Sequence, residues 1–146
     1  MTHSILINTV IENPDIASGN RVWYVAVAGQ ATLDSAMETL RELDRRLERD
    51  HIWGVIIDFR HLDSFPDPDD WVRFSTRVRL KLPAGLRTAL IRGDHPGAPL
   101  AQVAQAGNDA GASVEIVDLW PEAAAYCGLA ADMRDPLEDH EPLLVD

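Results

Sequence analysis

The segment from His51 to Trp71, HIWGVIIDFRHLDSFPDPDDW, constrains the fold more than any other part of the chain. Trp53, Val55, Ile56, Ile57 and Phe59 surround one charged residue, Asp58, so both faces of this stretch are apolar. A strand of that kind belongs in the interior of a sheet covered by helices on both sides. Sheets so covered meet their ligands at the carboxyl ends of the strands, and an acid-crowded loop leaves from that end here. The segment therefore marks where a site is expected.

The flanking pattern extends this reading. Ser4 to Glu12 alternates, with Ile5, Ile7 and Ile11 on one face, as a half-exposed strand does. Turn-forming residues separate it from Arg21 to Ala28, a second strand apolar on both faces, and the short link predicts a hairpin. Thr32 can cap a helix whose apolar stripe is Leu33, Ala36, Met37, Leu40, Leu43 and Leu47, ending near Asp50. The third strand is predicted at Ile52 to Asp58. A helix follows Pro68, with Asp67, Asp69 and Asp70 at its positive end and Arg77, Arg79 and Lys81 at its negative end. Trp71, Phe74, Val78 and Leu82 form its inward stripe. Strand four is Arg87 to Ile91, and a small-residue helix spans Pro99 to Ala110. Strand five is Val114 to Val117, and a last helix runs from Pro121 to about Leu129.

The order β-β-α-β-α-β-α-β-α predicts an α/β domain over residues 1–130. It comprises a mixed, mostly parallel five-stranded sheet, one antiparallel edge and about four helices. One domain suffices for 146 residues. Residues 131–146 hold six acids, one arginine and two prolines, which reads as an acidic, solvated tail whose last apolar residues could dock.

Composition excludes several partners. The net charge of −11 disfavours nucleic acid and anionic membrane, since phosphate binding needs a basic face. No apolar run approaches the roughly 20 residues that span a bilayer. A single cysteine, Cys127, excludes an internal disulfide. With no signal-peptide pattern in MTHSILINTV, a cytoplasmic location is expected. A two-fold homodimer is the commonest assembly for such a domain.

Four segments in this order resemble the STAS fold of sulphate transporters and anti-sigma-factor antagonists, in particular its SpoIIAA-like branch. They are Gly29–Leu33 after the hairpin, GVIIDFR at Gly54–Arg60, LRTALIRG at Leu86–Gly93, and VEIVDLWPEAAAYCGL at Val114–Leu129. The resemblance implies a non-catalytic regulatory or protein-interaction module without a cofactor. In the antagonists a serine after the third strand is phosphorylated by a partner kinase. Asp63 and Ser64 match that segment, while Phe65 and Pro66 replace its second hydroxyl and glycine. The contact surface implied is the Arg60–Phe74 region, with Asp63 and Ser64 as polar determinants and Phe65, Trp71 and Phe74 as apolar ones. Ser64 is the candidate phosphorylation site.

Two other readings stand beside it. The distantly similar CRAL-TRIO domains carry lipid-like ligands, so a small apolar ligand is an alternative occupant. Asp58, His61, Asp94 and Asp118 follow or end strands and are candidate metal ligands for a hydrolase, with Asp63 and Asp67 nearby. The competing explanation for the aspartates is helix capping. Most of the four tryptophans should be core.

Overall fold

The computed structural model describes residues 4–12, 21–130 and 132–139. Strand β1 (Ser4–Glu12) pairs antiparallel with β2 (Arg21–Gln30). The remaining strands, β3 (Gly54–Ser64), β4 (Arg87–Ile91) and β5 (Ser113–Val117), continue the sheet in parallel. The order across the sheet is β1-β2-β3-β4-β5, so the segment that opened the sequence reading is its middle strand.

Helix α1 (Leu33–Asp50) begins as its cap predicts: the Thr32 hydroxyl accepts from the Ser35 backbone N–H at 3.1 Å. Helix α2 (Pro68–Lys81) starts on proline, with Asp67 at its N-cap position but no side-chain cap bond. Helix α3 (Gly97–Asp109) packs tightly on β5, because a Cβ on Gly107 would stand only 2.5 Å from Val114 Cγ2. Glycine removes that atom and lets the small-residue helix close on the sheet.

Strand alternation sends successive side chains to opposite faces, and two separate cores result. Trp23, Val25, Val55, Phe59 and Leu90 meet α1, α2 and α3 on one face. Tyr24, Ala26, Ile56 and Ile91 meet α4 (Trp120–Tyr126) and α5 (Pro136–Asp139) on the other. Three crossover helices on one face follow from the strand order, which never reverses. The sheet therefore has no switch-point crevice of the kind that doubly wound sheets offer. Ligand-sized space lies under the helices instead.

Two of the boundaries that differ from expectation bear on the site. The third strand runs on to Ser64, because past a bulge His61, Leu62 and Ser64 pair with Ala28, Gly29 and Gln30. The region after residue 130 is not all solvated tail: Asp135 and Leu137 are buried, and Trp120 Nε1 donates to the Met133 carbonyl at 2.8 Å. The apolar Pro142–Val145 stretch lies outside the described residues. Among the described residues, no helix is long and apolar enough to cross a membrane.

Candidate functional site

Ile57 sits at the middle of the middle strand and faces the helix layer, yet it is only half-buried. A central strand residue keeps accessible surface only where its cover is incomplete. Here α1 and α2 leave between them and the sheet a space of about 90 Å³, partly open to solvent. Ala36, Leu40 and Leu43 of α1 form one wall, Phe74, Val78 and Leu82 of α2 another, and Ile57, Thr88 and Leu90 the floor. The accessible lining is carbon alone. Water in such a space would find too few polar partners, so an apolar occupant is favoured.

The carboxyl-end wall is an aromatic lattice. The Phe65 ring lies 5.7 Å from Phe59, 5.2 Å from Trp71 and 5.1 Å from His95, and Trp71 stacks on Phe74 at 5.0 Å. Two hydrogen bonds fix it: Trp71 Nε1 donates to the Pro99 carbonyl at 2.8 Å, and His95 Nε2 lies 2.8 Å from the Phe59 carbonyl. Trp71 is 5% exposed. Its expected role as a surface anchor is thereby corrected: the tryptophan braces the wall. Phe65 and Phe74 are half-buried in the same wall, whereas Asp63 and Ser64 are exposed at the end of β3.

The opposite face carries a buried polar network. Asp58, 1% exposed, accepts from the Tyr24 hydroxyl at 2.5 Å and from Arg60 Nη2 at 2.7 Å. Arg60 then forks onto Asp135 at 2.7 and 2.8 Å, tying α5 to the sheet. Gly93, at φ 66°, lets the β4–α3 link approach Arg60 closely, since a Cβ there would stand only 3.2 Å from Arg60 Cα. Asp58 and Arg60 share a strand face at two-residue spacing, a signal the sequence does carry. Asp135 is 75 residues from Arg60 and carries none.

This face of the sheet has a pH signature, from Tyr24 in the network and from Cys127 in the core beside it. Burial, then the adjacent Asp58 carboxylate, pushes the Tyr24 phenol well above its usual range. Burial likewise pushes the Cys127 thiol up to about 12. Both groups hold their protons more tightly folded than unfolded, so their contribution is whole below the ordinary thiol value of about 8.5 and falls as pH rises above it. The urea midpoint should therefore decline steadily from about pH 9 to about pH 11. Cys127→Ala should flatten the part below about pH 10, where the phenol has yet to ionise in the unfolded chain. A level midpoint across that window would contradict this account.

The metal candidates do not converge. Asp58 is committed to Arg60 and Tyr24; His61 and Asp94 are exposed, and exposed Asp118 pairs with Arg92 at 3.0 Å. No three His, Cys, Asp or Glu side chains among the described residues group as metal ligands would. Compared with protein-family models and with curated proteins, the sequence matches none. What bears on function is thus the cavity and the network themselves.

Proposed function

We propose that this chain is a non-catalytic domain that binds a small apolar ligand between α1, α2 and the sheet. One observation carries the reading: the floor of the space is the half-buried Ile57 of the central strand, in a position that a closed core would cover. The resemblance to CRAL-TRIO domains supports it. Size limits the ligand to about one aromatic ring or a short alkyl chain. An engineered apolar cavity of about 150 Å³ takes benzene, so the smaller space here requires a slim molecule or slight parting of the helices.

Toluene titration followed by methyl NMR tests this. Saturable shifts are expected at Ile57, Val78 and Leu90, and Ala36→Leu, which extends a wall residue into the space, should abolish them. Absence of saturation in the unaltered protein would remove the proposal.

A regulatory role keeps one support, the exposed Ser64 next to the wall residue Phe65. Phosphate there would add about −1.5 to −2 charge beside Asp63. The same titration on Ser64→Asp addresses it. Altered toluene affinity would link the serine to the cavity, and unchanged affinity would sever that link.

A further inference from the structure

Three of the four tryptophans are buried and pair their indole N–H groups: Trp23 with Asn8, Trp71 with the Pro99 carbonyl and Trp120 with the Met133 carbonyl. Trp53 does neither. It is 40% exposed, and its indole N–H has no hydrogen-bond partner among the described residues. It stands just before β3, at the amino end of the parallel strands and on the rim opposite Phe65. Beside it, the guanidinium carbon of Arg87, the first residue of β4, lies 5.4 Å from the Trp53 ring and 5.2 Å from the Tyr126 ring. Both distances suit a cation on an aromatic face. Arg87 Nη1 also donates to the Tyr126 carbonyl at 3.3 Å, and the Tyr126 hydroxyl donates to the Ser113 carbonyl at 3.0 Å. The guanidinium is thus held in place although Arg87 is exposed. Arg21, Arg46, Arg60 and Arg92 each have a carboxylate partner, whereas Arg87 forms no ion pair among the described residues. Glu115, on the neighbouring strand, pairs across from Ala89 instead.

We infer that Trp53, Arg87 and Tyr126 form a docking site for a protein partner, which presents an aspartate or glutamate carboxylate flanked by an apolar side chain. The site is separate from the apolar cavity, whose lining includes none of these three residues. Charge complementarity names the carboxylate. Arginine carries five N–H donors in a planar fork that matches a carboxylate, and only one contact of that fork is spent within the chain. A single cation also suits a singly charged group. A phosphate would bring a second negative charge to a chain already at −11. The rings name the apolar neighbour, since the exposed indole offers a face on which such a side chain can lose contact with water. Tryptophan, tyrosine and arginine are also the residues in which interface binding energy concentrates. Holding the guanidinium in advance reduces the ordering cost of capture.

A blocked phenylalanyl-glutamate dipeptide and its glutamine counterpart differ by one charge and serve as the probe pair, followed by NMR on the Trp53 indole N–H. In the unaltered protein the glutamate peptide is expected to shift that signal saturably and to bind about fivefold tighter than the glutamine peptide, the upper span of an exposed charge pair. Added salt should shrink the difference. Arg87→Gln should erase the preference, and Arg87→Lys, which keeps the charge without the fork, should retain only part of it. Trp53→Ala should weaken both peptides while the preference for glutamate survives. Equal affinities in the unaltered protein, a comparison that needs no variant to fold, would overturn the assignment, as would a preference that persists in Arg87→Gln. Sedimentation adds a separate check: a dimer that dissociates on Arg87→Gln would put a second copy of the chain on this surface and overturn the acidic-partner assignment.

Discussion

Arg60→Ala should cost about 3–5 kcal/mol of folding stability, the range for removing one partner of a buried ion pair. The loss is this large because two buried carboxylates lean on one guanidinium. Asp58 would keep only the Tyr24 hydroxyl and the residue 60 backbone N–H, at 3.0 Å, to hold a charge with 1% exposure. Asp135 would lose both of its bonds to β3, and α5 would lose its tie to the sheet. Chemical denaturation gives the free energy directly, and the thermal midpoint should fall by roughly 10 °C or more for a chain of this size. Asp135→Asn separates the two consequences. It weakens the fork but leaves Asp58 paired, so amide exchange should quicken around 136–139 while the global stability falls less. Measuring both single variants and the double gives the coupling between Arg60 and Asp135. A loss for Arg60→Ala below about 1 kcal/mol, the scale of exposed ion pairs, would mean that the network is effectively solvated.

That network marks where the sequence stops being legible. The bounds of β1 and β4 are readable to the residue, but the alternation in β1 is not: a bulge between Ile5 and Ile7 puts Ile5 on the helix-layer face and leaves Ile7 and Ile11 on the other, correcting the expectation of one shared face. Thr32 announced α1 through its capping chemistry. The end of β3 was not readable: Arg60–Ser64 is polar enough to pass for loop, and only its pairing with β2 makes it strand. Asp135 looked like one more acid in an acid-rich tail, since nothing local distinguishes a carboxylate bound for a guanidinium from one bound for water. The cavity is a subtler case. Phe74, Val78 and Leu82 form the helical stripe that the periodicity predicts, and they do face inward. Periodicity gives the direction of a side chain, however, not the distance to what it faces. Apolar residues that close a core and those that line a void have the same spacing and composition.

Trp71→Ala decides between the two meanings that this aromatic can have. As a surface anchor for a protein partner, it could be truncated with little effect on folding. As a brace inside the wall, its loss should cost about 3–5 kcal/mol, the usual range for a buried tryptophan, and lower the thermal midpoint by roughly 10 °C or more. The second outcome is expected, because the ring is 5% exposed, its N–H is paired with the Pro99 carbonyl, and Phe65 and Phe74 rest on it at 5.2 and 5.0 Å. The variant also enlarges the apolar space by about the volume of an indole. Added indole should therefore stabilise Trp71→Ala more than the unaltered protein. At about a hundred times its dissociation constant the gain is roughly 2.7 kcal/mol, enough to recover a large share of the loss. Rescue by indole but not by tryptophan, whose charged backbone groups cannot enter a carbon-lined space, would tie the recovery to the cavity rather than to general cosolvent effects. A variant that melts with the unaltered protein would return Trp71 to the surface and the aromatic wall with it, leaving Ile57 without the enclosure that makes an apolar ligand the expected occupant.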